Sequence, residues 1–169
     1  MDALEAIQSR RSIRRYLEEP IGEPLIEKLL AAAMQAPSAR NQQPWHFVVI
    51  DDRATLQKIP EFMPNAALVA GAPLAILVCG DLSLEKSEGY WVVDCAAATE
   101  NLLLAAHALG LGACWCGVYP RPTRMAELRK LLGLPEDVLA HSLVAIGRPA
   151  EQHGVENRYR ADRVRRNHW

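Results

Sequence analysis

Apolar side chains recur every three or four residues in five segments of the chain, which is the spacing of amphipathic helices. Asp2 stands where the first segment begins, as a helix cap does, and Pro24 opens the second. The second segment must end before Pro37, because the residue before a proline disfavours helical geometry. The predicted helices are therefore residues 2–9, 24–36, 54–59, 91–109 and 123–132.

Four further runs are short and mostly apolar, which is typical of strands buried in a sheet. They are HFVVI at 46–50, LAILVC at 74–79, GACWCGV at 112–118 and SLVAIG at 142–147. Helices and strands alternate loosely along the chain, which predicts a layered α+β or α/β fold. No linker, low-complexity tract or repeat interrupts the pattern, so we expect one domain spanning residues 1–169.

Two segments of the chain need a partner surface. The helix predicted over 91–109 is apolar almost all round and ends at Gly110, so it lies either at the centre of the domain or in a subunit interface. The last twenty or so residues are polar and arginine-rich, with no core of their own. They are either disordered or ordered by packing on something else, and the terminal Trp169 favours packing.

Positive charge is unevenly placed in a chain whose net charge is only −1. Arginine outnumbers lysine 15 to 4, and ten of the 15 arginines lie within residues 10–15 or 148–166. A guanidinium group binds phosphate or carboxylate as a planar fork, so this bias indicates an anionic ligand. A solvated basic surface is one alternative. A nucleic-acid interface is another, but the neutral net charge and the lack of a basic recognition helix argue against it.

No metal centre, phosphate-binding loop or catalytic nucleophile is evident. The four cysteines lie in apolar segments without the spacing of a zinc site or a disulfide framework, which predicts reduced core residues and a cytoplasmic protein. GLGACW at 110–115 begins like a dinucleotide-binding fingerprint, but it precedes a strand and has Trp115 at the third glycine position. If this protein is an enzyme, its chemistry belongs to a bound cofactor.

Four motifs in fixed order extend over essentially the whole chain. They are RRSIRRY at 10–16, APSARNQQPW at 36–45, GLGACWCGVY at 110–119, and AIGRPAE at 145–151 followed by the arginine-rich C-terminus. Together they resemble the FMN-dependent nitroreductase family, and the second motif is the most restrictive of the four. The resemblance implies an α+β, nitroreductase-like fold with a central, mostly antiparallel sheet flanked by helices. It also implies a homodimer with FMN at the subunit interface and a C-terminal extension that packs on the partner.

The same resemblance implies that NADH or NADPH reduces the FMN, which then reduces nitroaromatics, quinones or related electron-poor acceptors. The residues that match phosphate and ribityl contacts are Arg10, Ser12 and Arg14, with Arg11 nearby and Arg158 as a second phosphate-binding arginine. The residues that match the loop reaching the ring from the partner subunit are Pro37, Ser38, Ala39 and Asn41. The residues that match the strand end against the ring, near its N5, are Trp115, Cys116 and Gly117. No side chain is implied as a catalytic acid or base.

The chain departs from the family pattern at two of these positions. Ala39 replaces a frequent serine, and Cys116 stands where some members carry a glutamate. The motifs therefore do not identify the electron acceptor. A specialised member of the family is therefore an alternative, namely a dehalogenase, an enoate reductase or a flavin-fragmenting enzyme. A non-catalytic protein that stores or delivers FMN is the alternative from another class.

Overall fold

The computed structural model describes residues 1–169 and contains every predicted helix and strand in the predicted order. The elements are α1 Ala3–Ser9, α2 Glu23–Ala33, β1 Trp45–Ile50, α3 Arg53–Phe62, β2 Leu74–Asp81, α4 Trp91–Ala108, β3 Gly112–Gly117, α5 Pro122–Leu132 and β4 Val138–Gly147. Asp2 caps α1 by accepting a 2.8 Å hydrogen bond from the Glu5 N–H. A short 3₁₀ segment, Pro64–Gly71, was not predicted, because its alanine-rich sequence has no helical period.

The four strands form one sheet in the order β1-β2-β4-β3, and every neighbouring pair is antiparallel. The pairing of β2 with β4 shifts register between Val78 and Cys79, which face Ser142 and Ala140. His141 is thus an additional residue in β4, as in a β-bulge. Strand β4 begins at Val138, four residues before the predicted start at Ser142, and the additional residue breaks the alternation that would have revealed its first residues.

Helices cover both faces of the sheet. One face packs against α2 and α4 and the other against α3 and α5, so the core has two apolar layers. Helix α4 lies in the first of them, with Trp91, Cys95 and Leu102 buried. Of the two alternatives predicted for this apolar helix, the structure shows the first, a position in the core of the domain. Val93 on the same helix remains 62% exposed and points away from the core.

The N-terminal arginine segment borders the sheet. The Ile13 N–H donates a 3.0 Å hydrogen bond to the Ala113 carbonyl at the free edge of β3. Further along, the Leu17 N–H donates to the Arg148 carbonyl at 2.9 Å, just beyond the end of β4. Three of the four motifs are therefore neighbours in space.

The C-terminal residues 152–169 are all exposed, and Trp169 is fully so. The Gly154 carbonyl accepts a 3.0 Å hydrogen bond from Arg11 Nε, which holds the beginning of this segment against the end of α1. None of the helices combines the length and the apolar composition that crossing a bilayer requires.

Candidate functional site

Three arginines from the two ends of the chain line one cleft of about 600 Å³. They are Arg10, Arg11 and Arg158. Arg10 Nε lies 3.5 Å from a Glu100 carboxylate oxygen, and Arg158 lies 3.2 Å from Glu156. About half or more of each glutamate side chain is exposed, so these ion pairs are weak and the guanidinium groups can exchange them for another anion.

Within this cleft Arg11 is committed to backbone groups. Its Nε donates to the Gly154 carbonyl, and its Nη1 donates to the carbonyls of Gln8 and Arg10 at 3.0 and 2.6 Å. Its Nη2 is buried without a partner. Arg11 therefore joins the C-terminal segment to the end of α1, while Arg10 keeps its guanidinium free of backbone carbonyls.

Arg10, Ser12 and Arg14 are close enough to β3 to change the chemistry of Cys114. The neighbouring Cys116 thiol has the largest effect and lowers the pKa of Cys114, and burial opposes it. Arg14, Ser12 and Arg10 lower that pKa further, in this order. The arginine segment thus places positive potential along the outer edge of β3.

That outer edge has unpaired backbone donors. The Ala113 carbonyl faces it, and backbone groups alternate along a strand, so the N–H groups of Trp115 and Gly117 face it too. The Trp115 side chain is 37% exposed, and no atom lies within 4 Å of the position that a Cβ on Gly117 would take. The Cys116 thiol, by contrast, is buried on the α3/α5 side. Arg124 Nη1 donates a 2.6 Å hydrogen bond to the Gly117 carbonyl.

An aromatic group surrounds His141 beside this strand end. The imidazole lies 5.9 Å from the Trp115 ring, 6.0 Å from Trp91 and 6.3 Å from Tyr119, measured between ring centroids. Burial lowers the pKa of His141 to about 4, although the nearby Val92 backbone opposes the shift. The imidazole is therefore uncharged at neutral pH. Trp115 and Tyr119 are each more than one-third exposed and could stack on a planar ligand.

The loop before β1 has unusual backbone geometry. Arg40, Asn41 and Gln43 have φ angles of 51°, 53° and 47°, a left-handed conformation that costs a residue other than glycine about 1–2 kcal/mol. The Ser38 hydroxyl oxygen accepts a 3.0 Å hydrogen bond from the Gln43 N–H. Asn41 is exposed, and strained residues of this kind cluster at functional sites.

A buried pair holds this loop on α4. Asp94 is 4% exposed and accepts hydrogen bonds from the Ala39 N–H at 2.9 Å and from Gln42 Nε2 at 2.6 Å. The Gln42 Oε1 accepts from the N–H groups of Lys86 and Ser87 at 2.7 and 3.1 Å. The loop is thus fixed to the first turn of α4.

The loop and the β3 edge are not neighbours within one chain. The loop leads into β1, and β1 and β3 are the two opposite edges of the sheet. Three strand spacings separate these edges, or about 14 Å. The structure therefore places Arg10 with Arg158 in the cleft and with Ser12 and Arg14 beside β3. It leaves Pro37, Ser38, Ala39 and Asn41 at the opposite edge of the sheet.

The nitroreductase family model matches residues 7–89 and 63–148, and so takes in the arginine segment, the loop and all four strands. The chain belongs to the nitroreductase family. The fold implied by its sequence motifs is confirmed, with a four-stranded antiparallel sheet flanked by helices.

Similar nitroreductases cover nearly the whole chain. A Methanothermobacter thermautotrophicus protein, provisionally named NADH dehydrogenase/NAD(P)H nitroreductase, is 50% identical over 100% of this chain and 88% of its own. A solved Parabacteroides distasonis structure with the same provisional name is 39% identical, has a TM-score of 0.94, and covers 98% of both chains. A provisionally named Desulfovibrio desulfuricans nitroreductase, solved in complex with FMN, is 31% identical with a TM-score of 0.85, and covers 100% of this chain and 99% of its own.

Three residues that hold the loop or the β3 end of the candidate site in place were not predicted from the sequence. They are Gln42, Asp94 and Arg124. A carboxylate inside the apolar run WVVDCAAA is the one signal that could have found Asp94. Gln42 and Arg124 have residue types that are common on loops and helix surfaces, so only the folded chain distinguishes them.

The residues present fit FMN. Its phosphate carries nearly two negative charges, which guanidinium groups and a hydroxyl satisfy well. The cleft offers the guanidinium groups of Arg10 and Arg158, and the Ser12 hydroxyl lies in the adjoining segment that borders β3. The polar ring edge needs hydrogen-bond donors, and the N–H groups at the open end of β3 supply them. The segment 10–14 borders both places, so one elongated ligand can reach both.

Proposed function

We propose that this protein is an FMN-dependent NAD(P)H oxidoreductase that reduces nitroaromatics, quinones or related electron-poor acceptors by a ping-pong mechanism. The supporting observation is that an arginine-lined cleft and a strand edge with unpaired donors lie along one segment of the chain. FMN, when bound, accepts hydride from NADH or NADPH and passes the reducing equivalents to the acceptor. The chain binds and orients it.

In this proposal Arg10, Ser12, Arg14 and Arg158 bind the phosphate and ribityl chain, with Arg11 bracing the cleft. Trp115, Cys116 and Gly117 lie against the ring, Cys116 through its backbone. No side chain serves as a proton donor or acceptor in the reaction. His141 is buried and uncharged, His46 pairs with Asp81 at 3.2 Å, and His107 bonds Ser9 at 2.7 Å.

The active form in this proposal is a homodimer. A second copy would bring Pro37, Ser38, Ala39 and Asn41 to the partner's ring, because one chain holds them at the opposite sheet edge. A dimer would also cover apolar side chains that one chain leaves exposed, including Leu4, Ile7, Val93 and Trp169. The C-terminal extension would pack on the partner, where Trp169 would act as an anchor.

We also propose that the protein acts in the cytoplasm. All four cysteines are free and buried, and no pair of them is joined in a disulfide. Reduced thiols of this kind persist where glutathione and thioredoxin maintain them. Fractionation of the source cells with an antibody to the protein would test the location.

The function is tested with the purified protein under anaerobic conditions. NADH or NADPH should bleach its visible flavin absorbance, and an added quinone or nitroaromatic should restore it. Double-reciprocal plots of rate against NADH or NADPH concentration, made at several acceptor concentrations, should give parallel lines, because the two substrates occupy one site in turn. Intersecting lines would refute the shared site. Bleaching that no acceptor reverses would instead favour FMN storage or delivery.

A further inference from the structure

The strained turn at Arg40 and Asn41 is fixed from both sides by one carboxylate. On one side the Ala39 N–H donates to Asp94 Oδ1 at 2.9 Å, and on the other Gln42 Nε2 donates to Asp94 Oδ2 at 2.6 Å. The two left-handed residues lie between these two attachment points. Asp94 therefore sets the distance between the ends of the turn.

Gln42 extends this attachment to a second segment of the chain. Its oxygen accepts from the N–H groups of both Lys86 and Ser87, while its amide nitrogen holds Asp94. The Gln42 side chain is 5% exposed; its bond to Asp94 is buried, and its bonds from Lys86 and Ser87 are partly buried. A buried and fully satisfied polar network of this kind rigidifies the residues attached to it.

The turn held by Gln42 and Asp94 also orients the side chain of Asn41. Gln43 Nε2 donates to Asn41 Oδ1 at 3.0 Å, so the side-chain oxygen of Asn41 is occupied. Its NH₂ group has no partner within the chain and is exposed. The Asn41 NH₂ group is thus free to donate a hydrogen bond to an acceptor outside its own chain.

We infer that Gln42 and Asp94 are positioning residues that hold the Asn41 NH₂ group toward the polar edge of the flavin ring in the partner subunit. This inference rests on the proposed function, since it requires a flavin at that place. Neither residue touches the ring, and both act through the left-handed turn.

The test is a double-mutant cycle on ligand affinity. Apoprotein variants Gln42→Ala, Asn41→Ala and the double variant are titrated with riboflavin and with FMN, following flavin fluorescence. Riboflavin lacks the phosphate and so reports on ring contacts. We expect Gln42→Ala to weaken both ligands equally, by about three- to tenfold, which is the range for one lost hydrogen bond. In the Asn41→Ala background the same change should have less than a twofold effect.

Additive losses in the cycle would overturn the inference, because Gln42 would then act independently of Asn41. Asn101→Ala is the matched control: it removes a 3.1 Å bond from α4 to the Ala32 carbonyl and should leave both affinities unchanged. If Gln42→Ala does not fold, Gln42→Met keeps the side-chain volume and enters the same cycle. A wild-type protein that binds neither flavin would instead overturn the proposed function.

Discussion

The guanidinium group of Arg124 donates a 2.6 Å hydrogen bond to the carbonyl oxygen of Gly117 and has no carboxylate partner. Arg124 belongs to the first turn of α5, so its charge adds to the positive end of that helix. The Arg124 guanidinium group and the N-terminus of α5 both lie at the end of β3, where we propose that the flavin ring binds. A fixed positive charge there favours the reduced, more negative flavin.

Arg124→Gln should therefore lower the midpoint potential of the bound FMN. A tenfold change in the ratio of affinities for reduced and oxidised FMN corresponds to about 30 mV for a two-electron couple, and we expect a shift of about this size. Spectroelectrochemical titration measures it. Arg121→Gln removes an equal charge from an exposed position one turn away and should shift the potential much less. Equal shifts in the two variants would contradict a specific role for Arg124.

Replacing Arg10 or Arg14 by alanine should weaken FMN binding by about 1.5–3 kcal/mol, the range for hydrogen bonds to a charged group. Riboflavin has no phosphate, so its affinity should change little. Arg15→Ala is the matched control, because that side chain is exposed in the same segment. Equal losses for FMN and riboflavin would show that these arginines do not bind the phosphate.

Deleting residues 158–169 should lower both dimer stability and FMN content, because the deletion removes Arg158 together with the Trp169 side chain. Analytical ultracentrifugation and the visible spectrum of the purified protein measure the two effects. The single change Arg158→Ala should lower FMN content and leave the dimer intact. A truncated protein that remains dimeric and fully yellow would contradict our reading of the C-terminal segment.

His141 should make the fold less stable in mild acid. Burial lowers the pKa of His141 to about 4, below its ordinary value of 6.5, so the unfolded chain takes up a proton that the folded chain excludes. The stabilisation is complete above pH 6.5 and is lost as the pH falls towards 4. This difference between the two pKa values corresponds to about 3 kcal/mol of unfolding free energy.

His141→Phe keeps an aromatic ring in the cluster and should remove that part of the pH dependence, measured as free energy of unfolding in urea from pH 7 to 4.5. The pKa of His107 is also lowered, which reduces the stability of the folded chain in acid in the same way. The contribution of His141 is therefore the difference between wild type and His141→Phe at each pH. In the FMN-bound variant the rate of hydride transfer should stay within about tenfold of the wild-type rate, because losing a general acid or base lowers a rate by ~10²–10⁴. A loss above a thousandfold would make His141 catalytic.

The sequence allowed the helices and strands to be predicted because their local signals agree. Asp2 marks the start of α1, Gly110 follows the end of α4, and the period of α2 is unbroken up to Met34. The Pro64–Gly71 segment and the beginning of β4 were missed for the opposite reason. The Pro64–Gly71 segment has no helical period of apolar residues, and the bulge at His141 interrupts the apolar–polar alternation of β4.

The candidate site was predictable only where motifs are contiguous. The arginine segment and the strand end 115–117 could be identified that way, and the structure places them side by side. The bond between Gln42 and Asp94 joins residues 52 positions apart, and no local pattern indicates it. The bond from Arg124 to Gly117 depends on the turn between β3 and α5, which sets the direction of the guanidinium group.

The placement of the loop and the β3 edge on opposite sides of the sheet has a genetic consequence. In the proposed dimer each chain contributes its arginines to one flavin and its loop to the other. A chain with Asn41→Ala and a chain with Arg10→Ala would each form two defective sites alone. Combined in one cell they would form mixed dimers in which one site is wholly intact and the other is doubly defective. The two alleles should therefore complement each other and restore up to half the activity per mixed dimer.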